Sequence, residues 1–97
     1  MGTIKRVIEH YGKDAQLTVC IEELSELAKE LCKDKRGQGN PDHIAEEMAD
    51  VRIILAQLDE IYQNTAAVAE WTNVKMKRLE QRLEQDTAMN VGGDNNA

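Results

Sequence analysis

Apolar residues recur along this chain at steps of three and four, the spacing that lines one face of an α-helix, in four stretches separated by short breaks. Ile4, Val7, Ile8 and Tyr11 mark a short first helix over residues 3–11, ended by Gly12. Leu17, Cys20, Ile21, Leu24, Leu27, Ala28 and Leu31 draw the stripe of a second helix, from an N-cap at Asp14 to Lys33. The segment from Asp34 to Asn40 interrupts the pattern with basic residues and glycines. Asn40-Pro41 then supplies an N-cap followed by proline at the first helical position. The third helix that opens there runs to Gln63, with Ile44, Met48, Val51, Ile54, Leu55, Leu58, Ile61 and Tyr62 inward. After a break at Asn64-Thr65, Val68, Thr72, Met76, Leu79 and Leu83 stripe a fourth helix over residues 66–86. From Thr87 to Ala97 little remains to bury, which predicts a disordered C-terminal tail over 87–97.

The expected fold is therefore all-α: one domain over residues 1–86, with a short N-terminal helix and three longer ones. Composition agrees, because a chain with no Phe and one Pro lacks the aromatic strands and turn punctuation of a β domain. A domain of this size builds a small core and leaves apolar helix surface over, so a homodimer or homotetramer sharing helices is expected. Lys and Arg number 12 against 18 Asp and Glu, and the net charge of −6 repels a polyanion, which argues against nucleic acid as a partner. No apolar run reaches membrane length and the first residues do not form a signal region, so a cytoplasmic protein without a membrane partner is expected. Cys20 and Cys32 share one helix about 18 Å apart, too far for a disulfide, and are expected to be reduced.

The acidic excess is patterned. Glu22-Glu23-Leu24-Ser25-Glu26 on the second helix and Glu46-Glu47-Met48-Ala49-Asp50 on the third each place two carboxylates three residues apart, Glu23 with Glu26 and Glu47 with Asp50. With Val51 at the centre of the third helix's stripe, Glu47 falls about 40° away, Asp50 about 100° and Glu46 about 140°. Glu47 thus belongs to the buried stripe, where an ionised carboxylate needs a cation or a hydrogen-bond donor. With Leu24 central on the second helix, Glu23 at about 100° and Glu26 at about 160° flank the core on the same side as Glu30. Antiparallel packing of these helices brings the pairs face to face, and all-oxygen ligands suit a hard cation such as Mg²⁺. The alternative is two solvated helix faces that happen to be acidic. A di-iron site is not indicated, since neither His10 nor His43 completes a Glu-x-x-His pair.

The combined pattern, E-E-x-x-E on one helix and E-x-x-D about twenty residues later on the next, resembles the MazG-like all-α nucleoside triphosphate pyrophosphohydrolases, relatives of the dimeric dUTPases. The resemblance covers residues 3–86 and implies a four-helix MazG-like bundle that assembles as dimers or tetramers. It implies Mg²⁺ or Mn²⁺ held by Glu23, Glu26, Glu47 and Asp50. The implied reaction cleaves a nucleoside triphosphate between its α and β phosphates, giving a monophosphate and pyrophosphate. Glu26, angularly least committed to the core, is the expected general base.

Trp71, Lys75, Arg78 and Arg82 recur at helical steps and form a cationic strip on the fourth helix. Asn73-Val74-Lys75-Met76-Lys77-Arg78 is similar to the family's Asn-x-Lys-aromatic-x-Arg segment, which implies substrate contacts for Asn73, Lys75 and Arg78. Met76 stands in place of the usual aromatic residue, and Leu79 in place of a second Arg. The strip reads equally as a solvated helix end pairing with Glu80 and Glu84. Two rival functions share the same core stripes: a non-catalytic, oligomeric helical interaction protein, and a phosphodiesterase of broader range.

Overall fold

Gly12 alone joins α1 (Thr3–Tyr11) to α2 (Lys13–Lys35) in the computed structural model, which describes residues 2–95 and side chains as far as residue 89. Its φ of 92° suits glycine, since a Cβ is strained there. The Gly12 N–H donates to the Ile8 carbonyl at 2.8 Å, and its own carbonyl accepts from the Gln16 N–H at 3.1 Å, so backbone groups close both helix ends. Asp14 is accordingly not the N-cap of α2. It lies in the first turn, where its charge complements the helix dipole.

Gly37, at φ 77°, turns the chain out of α2, with its N–H donating to Asp34 and that of Gln38 to Lys33, both at 2.9 Å. α3 (Pro41–Tyr62) begins as its sequence indicates: Asn40 Oδ1 accepts from the N–H groups of Asp42 at 2.9 Å and His43 at 3.2 Å. Asn40→Ala is expected to cost about 1 kcal/mol. In a domain of this size that lowers the thermal midpoint by roughly 4 to 8 °C, readable by circular dichroism.

Across the α2–α3 seam, Gln16 Nε2 donates to Gln57 Oε1 at 2.8 Å and Cys20 Sγ lies 3.9 Å from the Ile54 carbonyl, while Glu23 meets Asp50 further along. Numbers rise on one helix as they fall on the other, so the helices are antiparallel. α1 packs against both through its half-buried Ile4, Val7 and Ile8. The centre of this unit, Met1–Gln63, holds Cys20 and Ile54, each 2% exposed. Both cysteines are free, Cys20 buried and Cys32 exposed.

The inward face of α2 is rotated from the expected one. Gln16, Cys20 and Glu30 are buried and Glu23 and Leu27 half-buried, whereas Ile21, Leu24 and Leu31 are exposed. The seam therefore centres near Glu23 and Leu27, not Leu24, and Glu23 enters the core's edge instead of flanking it. On α3, Ile54 is buried and Ile44, Val51, Leu58 and Ile61 are half-buried, but Met48, Leu55 and Tyr62 are exposed. Each helix carries an apolar arc broader than the narrow contact that one antiparallel neighbour and the short α1 can cover.

The second unit, Asn64–Ala97, consists of α4 (Thr65–Asn95). Its residues from Thr65 to Met89 are exposed, including the stripe residues Val68, Met76, Leu79 and Leu83. The helical backbone continues past residue 86, where the apolar stripe ends. Residues 96 and 97 of the expected tail lie outside the described residues. All four elements are helices, with no strand among the described residues, and no described helix is long and apolar enough to cross a membrane.

Candidate metal centre

Antiparallel packing aligns the first carboxylate of the α2 pair with both members of the α3 pair. One oxygen each from Glu23, Glu47 and Asp50 lie within 4.8 Å of one another, and all three side chains are half-buried. Of the four acids singled out by their spacing, the fold thus gathers three. Glu26 is exposed and stands outside the trio, although its charge acts on both Glu23 and Glu47. Glu46 faces solvent, as its angular position requires.

The electrostatics of this cluster are those of unneutralised negative charge. Glu47 is held above the ordinary carboxyl range first by desolvation and then by the charges of Asp50, Glu26, Glu46 and Glu30. Glu23 is raised by desolvation, by the charge of Asp50 and a hydrogen bond shared with it, and by Glu47 and Glu26. No basic residue is among these causes. Glu47 Oε2 is buried and has no hydrogen-bond donor, so a carboxylate oxygen of the trio is left without a partner. A buried acceptor left in this way costs stability unless something positively polarised meets it.

Hard oxygen donors, three convergent carboxylates and an orphaned buried oxygen fit a divalent cation of the Mg²⁺ or Mn²⁺ type. They do not fit a soft or imidazole-seeking metal, since His43 is exposed in the first turn of α3 and no cysteine belongs to the trio.

Glu30 was not among the residues expected to act here. It is buried, bonded to Lys33 Nζ at 3.3 Å, and near enough to Glu47 to raise its pKa. The signal was present, because Glu30 follows Glu23 by about two helical turns and shares its face. Lys33, in the last turn of α2, neutralises Glu30.

On α4, Asn73, Lys75, Arg78 and Trp71 are all exposed. Lys75, Arg78 and Arg82 line one shallow hollow together with Leu79. Because α4 is an uninterrupted helix, Asn73 projects about 160° away from Lys75 and does not share that strip. Compared with known protein families, curated proteins and solved structures, the chain matches none.

Proposed function

We propose that this protein is a Mg²⁺-dependent nucleoside triphosphate pyrophosphohydrolase of the MazG-like kind, cleaving between the α and β phosphates to release a nucleoside monophosphate and pyrophosphate. The observation that carries this reading is the convergence of Glu23, Glu47 and Asp50, one of which, Glu47, also has a buried Oε2 without a partner. Glu23, Glu47 and Asp50 would hold Mg²⁺ or Mn²⁺. When bound, the cation supplies Lewis acidity, lowering the pKa of water and neutralising phosphate charge. Glu26, exposed beside the trio, is the group assigned to accept the proton from the attacking water, because it is open to solvent and to an incoming water. Contacts from Asn73, Lys75 and Arg78 to the substrate belong to the same proposal, the two cations meeting phosphate oxygens by charge-assisted hydrogen bonds.

The exposed Ile21, Leu24 and Leu31 of α2, with Met48, Ile53 and Leu55 of α3, support assembly as a homodimer or homotetramer within this reading. The same surface favours the second reading, a helical interaction protein without turnover.

Pyrophosphate release from a panel of nucleoside and deoxynucleoside triphosphates, with and without Mg²⁺, separates the two. Mg²⁺-dependent release from at least one nucleotide is expected. A chain that releases none, and whose thermal midpoint ignores Mg²⁺, is the interaction protein. Equal cleavage of simple phosphodiesters would instead point to a phosphodiesterase.

A further inference from the structure

The acidic trio exists only in one register of α2 against α3. Sliding one helix past the other by a turn displaces facing residues by about 5.4 Å. That exceeds the 4.8 Å within which the oxygens of Glu23, Glu47 and Asp50 now lie. Mutual repulsion of the carboxylates favours such a slip, and apolar packing resists it weakly. Cys20 and Ile54 are the fully buried apolar residues of the described chain, and apolar contact is non-directional.

We infer that the buried Gln16–Gln57 pair is the positioning device that sets this register, so that the two amides organise a cation site they do not touch. The inference rests on the reading of Glu23, Glu47 and Asp50 as that site. Gln16 and Gln57 are both buried, and Gln16 Nε2 donates to Gln57 Oε1 at 2.8 Å, a directional contact across the seam between two uncharged groups. Gln16 precedes Glu23 by about two helical turns, and Gln57 follows Asp50 by the same interval, so both pairs occupy one line of the interface. In any slipped register two buried amides lose their partner, a penalty that apolar side chains would not impose. A single polar pair inside a helix interface sets register in this way at some expense in stability.

Calorimetric Mg²⁺ titration of the full chain tests the inference, with helicity and the cation-free thermal midpoint recorded for each variant. In Gln16→Met/Gln57→Met the length of both side chains is kept and both amides are removed together. The fold and cation-free midpoint are expected to hold or rise. Mg²⁺ affinity is expected to fall by about tenfold or more, the loss typical when a supporting partner of a metal site is removed. Gln57→Glu keeps an acceptor for the Gln16 amide and is expected to bind Mg²⁺ close to wild type, while Gln57→Met binds it weakly. Should the double variant fail to fold, these two single variants decide, and equal affinity in both overturns the inference. A folded double variant that binds Mg²⁺ as wild type does overturns the register role and leaves the cation site standing. A wild-type chain that does not bind Mg²⁺ removes the site and the inference together.

Discussion

Glu47→Gln is expected to lower Mg²⁺-dependent pyrophosphate release by at least about a hundredfold, the scale set when a cation's charge stabilisation of the transition state is lost. The same substitution is expected to raise the thermal midpoint of the cation-free protein. Both effects have one origin. Glu47 is a carboxylate held among Asp50, Glu26, Glu46 and Glu30, with Oε2 buried and unpartnered. A neutral amide of the same shape relieves the repulsion and offers an N–H to the neighbouring oxygens, but it is a far poorer ligand for a hard cation. Glu46→Gln, one residue away and exposed, is the control, and should leave both quantities nearly unchanged. Initial rates of pyrophosphate release and melting curves with and without Mg²⁺ read out the two effects. A Glu47→Gln protein with wild-type rates would sink the metal assignment. A large fall in its cation-free midpoint would show Glu47 to be a structural group instead.

The second large effect is the dependence of the Mg²⁺ response on pH. At a hundred times its dissociation constant, a ligand that binds only the folded state adds about 2.7 kcal/mol, raising the midpoint of a domain this small by on the order of 10 °C. That gain should be present at neutral pH and shrink in acid. In the unfolded chain Glu23 and Glu47 titrate near the ordinary value of 4.5, and in the fold both are raised, by desolvation and then by neighbouring carboxylates. The folded state therefore takes up protons more readily. The stability contributed by this uptake is fully present below about pH 4.5 and is lost as pH rises through the raised folded values. Above those folded values the cation-free protein bears the repulsion in full and Mg²⁺ relieves it. As the pH falls, protons compete with the cation for the same oxygens. Melting curves at a series of pH values, each with and without Mg²⁺, measure the difference directly. A Mg²⁺ gain that is independent of pH, or that grows in acid, would contradict the carboxylate site.

Much of the local structure was legible because it depends on neighbours in sequence. Asn40-Pro41 announces a helix start through its cap and its proline, and the backbone N–H groups of Asp42 and His43 do turn to the Asn40 side chain. The distinction between Glu47 and Glu46 was likewise readable from their angles on one helix, and one is half-buried and the other exposed. Asp14 shows where such reasoning fails: its side chain suits a cap, but a single glycine with φ of 92° lets the backbone close the junction and start the helix earlier.

The rotation of α2 lay beyond the sequence for a different reason. Its apolar residues span so wide an arc that several inward directions bury comparable area, and hydrophobicity alone does not choose among them. Hydrogen bonding does. Once Gln16 pairs with Gln57, the side of α2 that carries Cys20, Glu23 and Glu30 faces α3, and Leu24 is left outside.

What the sequence determined by itself was the set of helices and the two acidic pairs, since helical periodicity and capping are local properties. Which carboxylates meet was a tertiary decision. Spacing proposed four, and the antiparallel register brings Glu23, Glu47 and Asp50 together, leaves Glu26 in solvent, and adds the charge of Glu30 behind Glu47. Convergence across a seam depends on the rotation and sliding of two helices about each other, and no residue's position along its own helix encodes those two quantities.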